Sequence, residues 1–150
     1  MERKRRILPP IWFLFSLLTM LALHFLWPGA QVVPSPYNWF GIALLALGIA
    51  ISLSASNRFR RAGTPVVPFE RSTTLVTGGA FRYTRNPMYL GLVVTLTGTA
   101  ILFGTLTPWL VIPVFVWLIV THFIRGEERF LEDIFGGEYL AYKNRVRRWL

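Results

Sequence analysis

Long uncharged apolar runs alternate along this chain with short basic or polar stretches, a pattern that predicts helices crossing a membrane. Residues 7–27 contain no Asp, Glu, Lys or Arg and follow a basic cluster of Arg3, Lys4, Arg5 and Arg6. The run is longer than a signal-peptide core, and Trp27-Pro28-Gly29-Ala30-Gln31 has no small-x-small cleavage pattern, so it reads as a first span. His24 within it is expected to be a packed or interfacial histidine, because no second ligand type stands at helical spacing. Residues 31–38, with Pro34 and Pro36, read as a loop, and Tyr37, Trp39 and Phe40 supply interfacial aromatics. A second span reaches to about residue 56, with Gly41, Gly48, Ser52 and Ala55 near one face, suited to close approach of another helix.

Residues 57–86 form the longest stretch without spanning character, punctuated by Pro65, Pro68, Gly78 and Gly79. Within it Leu75-Val76 is apolar enough to turn back toward the membrane. Residues 88–103 are a short third span with Gly91, Thr95 and Gly98 on a small-residue face; residues 104–108 are a turn. Residues 109–124 are a fourth span in which Pro113 is expected to introduce a bend. Beyond it, Phe130, Leu131, Ile134 and Phe135 share the apolar side of a helix ending at Gly136-Gly137. A last helix, with Tyr139, Tyr142, Val146 and Trp149 on one stripe among basic residues, is expected to lie in the membrane interface. The expectation is one all-α domain over 1–150: four transmembrane helices, a cytoplasmic loop and C-terminal amphipathic helices.

Composition supports the membrane class: 53% of the 150 residues are hydrophobic and the mean hydropathy is +0.47. A net charge of +9 could indicate nucleic acid, but the basic residues are clustered between long uncharged runs, and no nucleic-acid partner is expected. Four of the 16 lie before the first span, six in residues 57–86 and six from Arg125 onward, whereas the other two loops have none. The positive-inside rule then places both termini and the long loop in the cytoplasm, with four spans. Without cysteine there is no disulfide framework or thiolate metal site, and no metal is expected.

Candidate chemistry concentrates where the basic loop meets the third span, at Arg82-Tyr83-Thr84-Arg85-Asn86-Pro87-Met88-Tyr89. Pro87 keeps Asn86 out of the helical region and suits a first helical turn, so a helix start, with unpaired N–H groups and arginines nearby, offers a place for an anionic group. The plainer alternative is that Arg85 and Tyr89 anchor a span among lipid headgroups.

The stretches Gly63-Thr64-Pro65, Thr74-Leu75-Val76-Thr77-Gly78-Gly79-Ala80-Phe81-Arg82-Tyr83 and Arg85-Asn86-Pro87-Met88-Tyr89-Leu90-Gly91 resemble the isoprenylcysteine carboxyl methyltransferase and phospholipid methyltransferase superfamily. So do Glu127-Glu128 and Phe135-Gly136-Gly137-Glu138-Tyr139 with Tyr142; the motif-bearing part is 63–150. The resemblance implies an integral membrane enzyme transferring methyl from S-adenosylmethionine to a lipid-like or apolar small-molecule acceptor among membrane lipids. It implies that Thr74, Leu75, Val76, Phe81, Asn86, Pro87, Met88, Tyr89, Glu127 and Glu128 hold the cofactor. Asn86 stands where the protein-prenyl branch has histidine.

The cofactor's carboxylate suits the helix start at Pro87, and its ribose diol and cationic sulfonium suit a carboxylate such as Glu127. Arg125 and Tyr139 are candidates for contact with the acceptor, Arg125 by orienting an anionic group and Tyr139 from a covering helix; a snorkelling arginine is the plainer account of Arg125. No catalytic residue is assigned; His122 is the sole candidate base for an amine acceptor, and a structural role suits it better. Two other readings are a sterol-reductase-like enzyme using a nicotinamide cofactor, disfavoured by Leu92 where an acid is usual, and a non-enzymatic four-span subunit.

Overall fold

The computed structural model describes residues 8–66 and 74–150; the N-terminal basic cluster and Arg71 lie outside the described residues. Among the described residues six α-helices follow one another: α1 (Pro9–Leu26), α2 (Phe40–Arg61), α3 (Pro87–Phe103), α4 (Val111–Ile119), α5 (Arg125–Phe135) and α6 (Gly137–Arg145). No strand occurs among the described residues; the extended pairing is a single bridge between Gln31 and Thr105. Three helical runs, Pro9–Leu26, Tyr37–Arg61 and Thr107–Phe135, are long and apolar enough to cross a membrane, and Pro87–Phe103 is a shorter apolar helix of 17 residues. The architecture is thus an all-helical integral membrane bundle.

The α2–α3 pair is held by the small residues expected to face another helix. A Cβ on Gly48 would sit 2.5 Å from the Gly91 carbonyl oxygen and from Thr95 N, and one on Gly41 would sit 2.4 Å from the Gly98 carbonyl oxygen. The backbones therefore touch where a larger residue would hold them apart, so dispersion and weak polar contacts replace the hydrophobic effect that lipid removes. Ser52 Oγ donates to the Met88 carbonyl at 2.9 Å, tying α2 to the first turn of α3. That contact sets the depth of the helix start bearing Asn86 and Tyr89.

On the other side of α3, Leu96 and Ala100 pack with Met20 of α1 and Phe115 and Ile119 of α4. At the opposite end of the bundle from the motifs, Gly104 takes φ 72° to terminate α3, and its carbonyl accepts from Val32 N and Val33 N. A Cβ there would lie 2.4 Å from the Val33 carbonyl oxygen, so both conformation and space favour glycine. His24 is packed as expected: Nδ1 lies 2.9 Å from Thr105 Oγ1, and the ring stacks on Phe103.

Two details differ from the sequence reading. Pro113 falls in the first turn of α4, where its missing N–H breaks no helical bond; the irregularity in this run is instead a π turn at Val120–Ile124. The last helix ends at Arg145, so Trp149 does not continue its stripe; Val146 is extended, and Tyr139, Tyr142 and Val146 pack on Phe81 and Ala55. Their apolar faces are covered by protein rather than by lipid.

If backbone contact holds α2 to α3, Gly48→Val should lower bundle stability in detergent by about 2–4 kcal/mol, through overpacking against backbone that cannot move aside. Gly137→Ala, where nothing lies within 4 Å, should leave the melting midpoint close to wild type. Differential scanning of both variants checks this, and equal midpoints would contradict the packing account.

Candidate functional site

The motif-bearing segments converge on one cleft. Residues 74–81 close one side, with Leu75, Val76 and Phe81 packed against Phe59 of α2; the start of α3 supplies the floor; α5 and α6 form the far wall. The cleft holds about 880 Å³ of non-protein space, its open mouth included. All ten residues expected at a cofactor, Thr74, Leu75, Val76, Phe81, Asn86, Pro87, Met88, Tyr89, Glu127 and Glu128, line it. Tyr139 lines it too, whereas Arg125 opens onto a separate notch beside α1 with His122 and Arg129. Arg82 is exposed and does not reach the cleft.

Local chemistry explains the helix start. Thr84 Oγ1 accepts from Asn86 N at 3.2 Å, a side-chain turn that holds Asn86 outside the helical region, at φ −129° and ψ 54°, before Pro87 opens α3. The Asn86 side chain does not cap the helix; its Nδ2 donates to the Arg148 carbonyl at 3.0 Å, and Thr84 Oγ1 donates to that same oxygen at 3.1 Å. Arg85 N donates to the Arg147 carbonyl at 2.9 Å. The C-terminal segment is thereby stapled across the loop that precedes α3.

The two acids divide their work. Glu128 is 6% exposed and receives Arg148 Nε at 3.0 Å and Nη2 at 2.7 Å, with Arg85 Nη2 at 3.4 Å. The anion expected near Arg85 is therefore met, in part, by the protein's own carboxylate. Yet Arg85 Nε and Nη1 are buried without a hydrogen-bond partner among the described residues. Glu127 turns toward the cleft, where Tyr89 Oη donates to its Oε1 at 2.7 Å.

The apolar stretch of this helical run ends at Ile124, so both acids lie beyond the spanning segment. Burial pushes the Glu127 carboxyl up to about 7, against the opposing pull of the Tyr89 hydrogen bond. Burial acts in the same sense on Glu128, but the Arg148 hydrogen bond and the charges of Arg85 and Arg148 outweigh it and hold this carboxyl below its ordinary value. Tyr139 is pushed up to about 12 by burial, reinforced by the Glu128 charge, so its hydroxyl stays protonated at neutral pH. Burial also raises Tyr142, whose hydroxyl donates to the Phe81 carbonyl at 2.7 Å and braces the 3₁₀ turn of residues 79–82.

Sequence reasoning singled out Arg85 as a place for an anion but missed Thr84 and Arg148 as organisers of the site. Arg148 sits in the run Arg145-Val146-Arg147-Arg148, which reads as a solvated basic tail, and no spacing rule marks which of its arginines finds the buried acid.

A helical membrane bundle whose loop, span start and acidic helix close one cleft at a span end is the framework of a membrane enzyme. Residues 37–138 match the phospholipid methyltransferase family, and the chain belongs to it. Protein-S-isoprenylcysteine O-methyltransferase A of Arabidopsis thaliana is 30% identical over 139 residues, covering 89% of this chain and 68% of that protein. The Schizosaccharomyces pombe protein-S-isoprenylcysteine O-methyltransferase is 29% identical over 114 residues, 75% of this chain and 48% of its own length. That of Saccharomyces cerevisiae is 30% identical over 141 residues, 88% and 58% respectively. The chain thus spans from about half to two-thirds of these relatives, and by family it is a membrane methyltransferase.

The staple has a thermodynamic signature. Arg148→Ala should cost about 1–3 kcal/mol, toward the lower end because the Arg148 side chain is 35% exposed. A carboxyl held below its unfolded value contributes stability present above about 4.5, lost as pH falls through the folded value. Acid melts should therefore show wild-type stability declining more steeply below about 4.5 than that of Arg148→Ala. Parallel pH profiles would remove the ion pair from the account.

Proposed function

We propose that this chain is an S-adenosylmethionine-dependent methyltransferase whose acceptor is lipid-like or apolar and reaches the cleft from the bilayer. The observation that carries the reading is the convergence, on one cleft, of all ten residues expected at the cofactor. The residues present fit that group. The unpartnered Arg85 nitrogens leave a deficit that a carboxylate would satisfy, and only one Glu127 oxygen is engaged within the described residues. The Leu75, Val76 and Phe81 side chains offer an apolar wall for a flat aromatic base. When bound, the cofactor supplies an electrophilic methyl group on a positively charged sulfur.

Glu127, oriented by Tyr89, would accept from the ribose hydroxyls or face the sulfonium, with Tyr89 fixing which oxygen remains available. Asn86, Pro87 and Met88 would border the cofactor from the start of α3; Thr74, Leu75 and Val76 would border it from the loop; and Glu128 would act by anchoring the tail that closes the cleft. Tyr139 and Tyr142 would exclude water, which favours a step in which charge is neutralised. Tyr139, lining the cleft, would also meet the acceptor. A carboxylate or thiolate acceptor would need no base, and none of the described lining residues is a histidine. Arg125, on the other notch, is not included in the acceptor contacts.

The same reading counts α3 as a fourth span and sets both termini and the cleft on the cytoplasmic face, supported by the basic clustering, and takes the membrane to be prokaryotic from the Asn86 form of the motif, which suits bacterial-type members. In sealed cells, an impermeant thiol reagent should label a cysteine placed at the exposed Ser35 and not one at the exposed Asn144. External labelling at Asn144 would reverse the orientation.

Calorimetry tests the cofactor. Glu127→Gln should weaken S-adenosylmethionine binding by about 1–3 kcal/mol, the range for a charge-assisted hydrogen bond. Because only the ionised carboxyl serves a cation or a diol well, wild-type affinity should rise with pH through about 7, while that of Glu127→Gln should stay flat. Unchanged affinity in the variant would take Glu127 out of the site, and tight binding of a nicotinamide dinucleotide instead would favour the reductase reading.

A further inference from the structure

The second notch has chemistry of its own and shares no lining residue with the cleft. It lies between the first turn of α1 and the π turn, lined by Trp12, Thr121, His122, Phe123, Arg125, Gly126 and Arg129. His122, Arg125 and Arg129 are exposed there, and none of the lining residues is acidic. Of the nearby acids, Glu128 pairs with Arg85 and Arg148 and Glu132 with Lys143, while Asp133, four positions after Arg129, is exposed and forms no ion pair among the described residues. Among the described residues neither Arg125 nor Arg129 forms an ion pair, although as like charges four positions apart they repel each other.

The rest of the notch is built for an interface. The Trp12 and Trp117 rings each lie 6.3 Å from the His122 ring. His122 Nδ1 lies 2.9 Å from Thr121 Oγ1 and 3.1 Å from the Leu118 carbonyl, which holds the ring over the π turn. Adjoining the basic patch, Ile11, Phe15 and Trp117 are 43%, 56% and 61% exposed, an apolar surface continuous with the lipid-facing side of the spans. Unneutralised cations beside interfacial tryptophans at the end of an apolar face match a headgroup phosphate with acyl chains below it.

We propose that this notch binds the phosphate of an anionic phospholipid, held by Arg125 and Arg129, with Trp12 against the glycerol region and the acyl chains along α1 and α4. The lipid is a bound neighbour rather than a methyl acceptor, since the notch is separate from the cleft. A zwitterionic lipid fits less well because no lining carboxylate meets its ammonium.

The full chain, purified in detergent and given equimolar phosphatidylglycerol and phosphatidylcholine, can be read by native mass spectrometry. Wild type should retain one phosphatidylglycerol in preference, and R125Q/R129Q should retain it about thirtyfold less, since the two interfacial arginines contribute about 1 kcal/mol each toward an anionic headgroup. R125K/R129K should restore most of the retention, and R60Q/R61Q, which removes equal charge at the end of α2, should leave it unchanged. Unaltered circular dichroism of the variants keeps the comparison free of misfolding. Equal retention of the two lipids, equal loss in R60Q/R61Q, or displacement by soluble glycerol phosphate as effective as by lipid would each overturn the proposal. None of these readouts depends on methyl transfer.

Discussion

One carboxylate, Glu128, fixes the C-terminal segment against the start of α3, alongside the packing of Val146 in the Phe81 cluster and of Trp149 on the core that includes Tyr89. Burying an acid is unfavourable unless it is paired, and here the pairing comes from a bidentate Arg148 and a nearby Arg85. Because Arg148 lies in the segment after α6 and Arg85 immediately precedes Asn86, satisfying this one acid draws that segment onto the start of α3. The backbone completes the junction, with the Arg147 and Arg148 carbonyls accepting from Arg85, Thr84 and Asn86. Without that junction the cleft would lack its wall, and Glu127 would face water rather than a shaped site.

The membrane part supplies a rigid reference for this junction. Lipid removes the hydrophobic drive between helices, so close backbone approach at Gly41, Gly48, Gly91 and Gly98 fixes α2 against α3, and Ser52 fixes their relative height. Tyr89, one turn into α3, consequently stands where its hydroxyl meets Glu127 from another helix. Packing in the apolar layer thus governs geometry in the polar layer.

The run from α4 into α5 separates two kinds of chemistry by helical periodicity. Its acids at 127 and 128 turn toward the loop and tail, and its basic residues at 122, 125 and 129 turn toward α1 and the bilayer. The π turn at Val120–Ile124 marks the passage from apolar span to charged helix, a position where such turns often accompany function. One element can therefore border a polar cleft and a lipid-facing notch without their sharing a residue.

Periodicity and charge clustering alone determined the apolar helices, the helix start at Pro87, the stop at Gly136 and the small-residue faces of α2 and α3, because these depend on local sterics and on residues three or four apart. Motif resemblance likewise assembled the cleft-lining set before any geometry was known. Neither could separate Glu127 from Glu128, or Arg148 from its basic neighbours, because adjacent like residues have the same local pattern and differ only in what the fold brings to them. The tertiary structure alone decided that Glu128 is neutralised by a residue 20 positions away while Glu127 stays available to the cleft. It also decided that the stripe of Tyr139, Tyr142 and Val146 covers protein instead of lipid, since an apolar helix face is satisfied equally by either and only the Phe81 and Ala55 surface beneath it settles which.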